Sequence, residues 1–333
     1  MPDIKKFMDK SLSAVQRGAK SFNETVAPKI GKAVNDATES AGKAIADGRD
    51  KIASVGKNAK DTVMNQLDVN HDGNVDIVDI ITLGLKTPGI KVNREQFLKK
   101  ELTIHYDEET VKKAIAKTPV AAKIPAEDID KIADAVIQYE RYFVSGISTA
   151  LGAPGGAAMV ATIPADIIQY YGYMLRAAQK LMYLYGFPQI VSEDDETQID
   201  SATMNLLVVA MGVMFGVAGA NNAVKAMAKA LGNGVEKQLM RRALTKGTIY
   251  PIVKSIAKWF GVRMTKEVFS GFFKKAIPVV GGVIGGGITY VSFKPCCERL
   301  KESLKDTKLS NVNHKETKEE SAIYEAIVQE IEE

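Results

Sequence analysis

The sequence predicts an all-α fold, a multi-helix bundle with Gly/Ala-rich hydrophobic hairpins. Three observations predict it. Apolar residues recur at steps of three and four, the helical period, over long parts of the chain. Three stretches, 142–165, 201–224 and 276–293, carry no charged residue and are rich in glycine and alanine. A twelve-residue acidic loop at 68–79 lies between two short periodic segments, 57–67 and 77–85.

In residues 1–66 the apolar positions Val15, Val26, Ala37 and Ala59 share an 11-residue register, as do Ala19, Ile30, Ala41, Ile52 and Val63. An 11-residue repeat is close to three helical turns. Pro28 and Gly31 divide the run, since proline removes a helix donor. The region therefore reads as two amphipathic helices over 1–56, followed by a helix entering the acidic loop. Their apolar face is narrow, and their polar face carries Lys20, Lys29, Lys32, Lys43 and Lys51. That combination suits either adsorption to an anionic bilayer surface or packing on the rest of the protein.

Residues 68–79, DVNHDGNVDIVD, place oxygen donors at the spacing of a calcium loop. Asp68, Asn70 and Asp72 stand at positions one, three and five, Asp76 at nine and Asp79 at twelve. Gly73 stands at position six, where such a loop turns sharply, and Asn74 offers a carbonyl at seven. Val75 is the apolar anchor. Calcium is a hard cation that takes six to eight oxygens, and this loop holds four carboxylates, an amide and a carbonyl. The residues point to an EF-hand-like calcium-binding module over 57–104, with Ca2+ as cofactor. Asp at position twelve resembles dockerin-type loops more than sensor-type ones. A turn at Thr87, Pro88 and Gly89 precedes a helix opening near Arg94. Val92 is expected beside Val75, as a pseudo-partner to the loop.

Of the charge-free stretches, only 201–224 meets the length of a bilayer span, about 20 residues. The other reading is a hairpin buried in a helical protein. Gly212, Gly216 and Ala220 follow the small-xxx-small spacing that lets helices approach closely. Acidic residues precede this stretch and basic ones follow it, which would leave its C-terminal end in the cytoplasm if it spanned. The tail, 309–333, reads as an acidic helix with Ile323, Ile327 and Ile331 in step, suited to dock on the basic N-terminal helices. The core helices fill 105–308.

Composition narrows the function. The 333 residues are 46% hydrophobic and 25% charged with a net charge of +4, which is ordinary for a folded protein and too small a surplus for one that coats nucleic acid. Cys296 and Cys297 are adjacent, a spacing unsuited to a structural disulfide, so a reducing compartment is expected. MPDIKKFMDKSLSAV has no unbroken apolar run of the secretory kind. The three histidines, His71, His105 and His314, are scattered, and no nucleophile elbow or phosphate-binding loop is present. The Gly281–Gly287 run lacks a phosphate ligand and reads as packing. Asp166, placed in the first turn of a helix, shares a face with Gln169 and Tyr173, a candidate polar site.

The stretch GAPGGAAMVATIPADIIQYYGYMLRAAQKLMYLYGFPQ, with Gly152–Gly156, Pro164, Asp166 and Leu184–Gly186, resembles the bacterial EcsC protein family. Pro278, Gly281, Gly282 and Gly285 match that family's second Gly-rich segment, so the likeness covers about 120–305. The resemblance implies an all-helical, membrane-associated bacterial protein without established activity, whose founding member is encoded beside an ABC transporter linked to secretion. The expectation is thus a non-enzymatic, calcium-binding protein at the cytoplasmic side of a membrane. Its partners would be the membrane surface or membrane proteins, a transporter among them. The alternatives are a soluble carrier or hydrolase holding an apolar ligand near Asp166, and a toxin-like inserting protein built on 201–224.

Overall fold

A computed structural model describes residues 67–69, 73, 75–152, 158–191, 199–235, 247, 249–260 and 281–332. Every regular element among them is a helix: α1 (Ile77–Lys86), α2 (Arg94–Leu102), α3 (Glu108–Ala116), α4 (Ala126–Gly152), α5 (Ala158–Leu184), α6 (Ser201–Met214), α7 (Ala220–Gly232), α8 (250–260), α9 (Gly281–Lys305) and α10 (Lys318–Glu332). The helices expected over 1–66 lie outside the described residues.

Helix starts follow from side chains that satisfy orphan backbone N–H groups. Asp76 caps α1, accepting from Val78 N at 2.7 Å, and Asn93 caps α2, accepting from Gln96 N at 2.9 Å. Asp107 and Asp200 do the same for α3 and α6. The Leu184–Gly186 motif ends α5. Gly186 adopts φ +96°, Gly186 N donates to Tyr183 O, and Phe187 N donates to Met182 O. This is the left-handed C-terminal cap that glycine accepts without strain.

Helix α5 is the hub, packed by α1, α2, α4, α6 and α9. Helix α4 runs antiparallel to both α5 and α9, and the α4–α9 seam is the most extensive among the described residues. One apolar core runs from Leu67 through Ile80, Leu181 and Leu207 to Ile327. Helix α1 reaches α5 where two glycines meet: a Cβ on Gly84 would lie 3.3 Å from Gly172 Cα. The vicinal thiols of Cys296 and Cys297 are both buried within this core.

Arg94 ties remote parts together. Its guanidinium donates to Phe187 O (2.9 Å), Ile115 O (2.6 Å) and Lys117 O (3.0 Å), closing the end of α3 and fixing the chain beyond α5. The tail is fastened through His314, whose ring nitrogens lie 2.9 Å from Asp306 Oδ1 and 2.8 Å from Glu320 Oε1.

Three expectations are corrected. Residues 201–224 do not form one rod: α6 ends in a glycine cap, with Gly216 at φ +69° and Val217 N donating to Gly212 O, and α7 starts after Gly219 at φ +84°. Gly212 does sit at a close helix contact, since a Cβ there would fall 2.6 Å from Ile256 Cδ1 of α8. Asp166 is not in a first turn. The apolar run AMVA extends α5 back to Ala158, so Pro164 and Asp166 lie inside the helix. Val92 does not pair with Val75, because its N–H is accepted by Gln179 Oε1 and its carbonyl receives Tyr183 OH and Gln189 Nε2. The tail helix packs on α7, where Lys229 meets Glu316 at 2.6 Å and lies over the Tyr324 ring; the N-terminal helices expected to receive it lie outside the described residues.

Candidate functional site

The acidic loop closes at both ends among its described residues. Asp68 Oδ2 accepts from Gly73 N at 2.9 Å, folding the first half over on itself, and Gly73 takes φ +84°, as the sixth position demands. Val69 N donates to Asp79 Oδ1 at 3.0 Å, joining position two to position twelve. Asp76 N donates to the other oxygen, Asp79 Oδ2, at 2.9 Å, while Asp76 itself caps the helix. Asp79 is only 1% exposed, and Val75, Ile77 and Leu67 are buried beside it. The loop's entry and exit are thereby held together on the core.

Asn70, Asp72 and Asn74 lie outside the described residues. Of the six predicted ligands, Asp68, Asp76 and Asp79 are therefore placed. Among the described residues no three His, Cys, Asp or Glu side chains converge to hold a metal ion. Backbone N–H groups face the three described carboxylates, a donor set that settles anions in a tight turn.

The proposed polar site near Asp166 is only partly assembled. Gln169 donates from Nε2 to Val144 O at 3.3 Å across the α4–α5 seam, and its buried Oε1 has no hydrogen-bond partner. Tyr173 packs on Phe143 with the rings tilted at 51°, and burial pushes its phenol up to about 12. A phenol so held is a hydrogen-bonding and packing group at neutral pH, not a proton carrier. The backbone of Asp166 lies in α5.

Sequence reasoning missed the charged centre of the same seam. Glu140 of α4 is 0% exposed and receives Lys180 Nζ at 2.5 Å and Arg176 Nε at 3.3 Å, both from α5. Glu140 Oε2 is buried without a hydrogen-bond partner. Desolvation draws the Lys180 amine below its ordinary value, against the pull of Glu140. The only signal in the sequence was one acid, Glu140, within the otherwise apolar face of VIQYERYF, facing a basic pair four apart on α5. Below this trio, Asp130 binds Tyr185 OH (2.7 Å) and Lys305, and Asp134 binds Lys301 at 2.7 Å. These bonds latch α4 to α5 and α9. Compared with protein-family models, with curated proteins and with solved structures, the chain matches none.

Proposed function

We propose that this chain is a non-enzymatic, calcium-binding helical protein associated with the cytoplasmic face of a membrane, of the kind the EcsC resemblance implies. The observation that carries the reading is the closure of the acidic loop, Val69 N on Asp79 and Gly73 N on Asp68. It brings the first and last ligand positions of a twelve-residue calcium spacing to one place. Asp68, Asn70, Asp72, Asn74, Asp76 and Asp79 would hold the cation, which supplies positive charge to a loop crowded with carboxylates. Helix α1 leaves that loop and lies against α5 at Gly84 and Gly172, so order gained in the loop is passed to the bundle. Membrane contact is supported by the lysine-rich N-terminal sequence and by the charge-free stretches at 142–165 and 276–293.

The test is calorimetric titration of the full chain with calcium, with thermal melting in calcium and in chelator. A site filled at 100 times its dissociation constant stabilises by about 2.7 kcal/mol, and amide protection across 57–104 should rise with it. Asp79→Asn should abolish the heat. A chain that gives no heat, no change in melting and no change in protection does not use this loop for calcium.

A further inference from the structure

The last helix of the chain is fastened at a buried histidine. His314 stands between α9 and α10 with its side chain fully buried, and each of its ring nitrogens faces a carboxylate. Nδ1 lies 2.9 Å from Oδ1 of Asp306, the residue that follows α9. Nε2 lies 2.8 and 2.9 Å from the two oxygens of Glu320, in the first turn of α10. Two acids therefore clasp one ring.

The charges around the clasp come from three elements. From α7, Lys225 holds the second oxygen of Asp306 at 2.5 Å, and Lys229 holds Glu316, whose carboxyl also feels the charge of His314. Lys315 and Lys318, in the chain on either side, are exposed. The two acids differ in what else can serve them. Asp306 is half exposed and has Lys225 besides, whereas Glu320 is 0% exposed and both its oxygens meet the same donor, His314 Nε2.

A neutral imidazole carries one N–H and one lone pair. Between two carboxylates it would donate to one and turn its lone pair on the other. Only the imidazolium donates at both nitrogens. The start of α10 favours an ionised Glu320, since a helix N-terminus stabilises negative charge. Removing the ring's proton would leave that buried carboxylate without a cation, which is costly because no water reaches it.

We propose that His314 is a proton-controlled clasp, whose imidazolium holds α10 on α7 and whose loss of a proton releases it. The docked tail keeps the proton and a neutral ring docks badly. Docking is therefore strongest in acid and weakens as pH rises past the range of a free imidazole, about 6.5. Helix α10 has 15 residues, a length marginal for a helix standing alone. Its release thus unwinds it and uncovers the α7 surface beneath.

The full chain with 15N-labelled histidine tests this, the His314 ring being assigned through His314→Gln. At about pH 6 both nitrogens of His314 should carry protons, and one should be lost by about pH 8.5. Over the same range amide protection in 318–332, corrected for the base dependence of exchange itself, should fall about tenfold or more, the equivalent of a charged hydrogen bond. Protection in 175–184 of α5 should hold. In Glu320→Gln a carboxamide N–H can meet the neutral ring's lone pair while Nδ1–H serves Asp306, so α10 should stay docked throughout. A neutral His314 ring at the lower pH overturns the clasp, as does protection that is constant in α10 or falls equally in α5. A pH dependence that persists in Glu320→Gln overturns it too. Should that variant fail to fold, the ring nitrogens and exchange of the unaltered chain still decide.

Discussion

The two halves of the α4–α5 hairpin share helix, partner and pitch, yet they are held by opposite means. Toward residues 126–140 helix α4 is latched by charged groups to α5 and α9: Glu140 between Lys180 and Arg176, Asp130 against Tyr185 and Lys305, Asp134 against Lys301. From Phe143 onward the chain is free of charge until Asp166, and rings close the seam. A buried ion pair gives register, because a one-turn slip strands a charge in a poor dielectric. An aromatic band gives contact area but tolerates sliding and a change of surroundings. The latched half is thus fixed in register, and the ringed half is held by contact area alone.

The largest expected effect breaks the latched half. Glu140→Ala leaves Lys180 buried opposite nothing, and should cost about 3–5 kcal/mol in chemical denaturation. The comparison sharpens if Glu140→Leu is combined with Lys180→Met: the pair should recover most of that loss, since replacing a whole buried ion pair is often neutral. Recovery would assign the trio to register. A double variant as unstable as the single would show that Arg176 or the packing carries the seam.

A smaller effect is expected on the ringed side. Gly212→Ala places a methyl 2.6 Å from Ile256 Cδ1 and forces α6 and α8 apart beside Phe215, Trp259 and Phe260. Overpacking costs about 1–3 kcal/mol, and alanine's helix propensity returns about 1 kcal/mol. A net loss of about 1 kcal/mol, with a shift in Trp259 emission, is the outcome expected from melting and fluorescence. An unshifted Trp259 would mean that the Phe215–Trp259–Phe260 ring cluster does not depend on that contact.

The smallest effect concerns pH. Asp128, near the start of α4, is held below the usual carboxylate range first by the hydrogen bond from Tyr106 (2.7 Å) and then by that from Lys131. The folded chain therefore takes up that proton less readily than the unfolded one. The contribution is complete above the unfolded value, near pH 4, and is lost as pH falls through the lower folded value. Tyr106→Phe should make the acid fall of stability shallower below about pH 4, with little change at pH 7. An identical acid limb would place the dependence elsewhere.

What could be read from the chain was what local chemistry decides. Helical spacing set the class, the periodic segment 77–85 and the opening near Arg94 agree with α1 and α2, and a twelve-residue spacing put Asp68 and Asp79 in one loop. What escaped needed partners far along the chain. Glu140 meets Arg176 and Lys180 only after α4 and α5 pair, and Val92 gives up its backbone to Gln179 and Tyr183 on α5. The apparent span at 201–224 failed for a subtler reason. Gly216 and Gly219 fit a tight helix pair and a turn equally well, and a spacing rule does not distinguish them. Asp166 lies deeper than a first turn because the apolar run before Pro164 already belongs to the helix.

The burial of Cys296 and Cys297 has a practical sequel. Burial raises both thiols above their ordinary range, Cys297 most, and only the thiolate attacks electrophiles or is readily oxidised. The native protein should therefore resist alkylating reagents and peroxide. A single cysteine engineered onto its surface would then take a dye or spin label by itself, and the two natural thiols would react only as the fold opens.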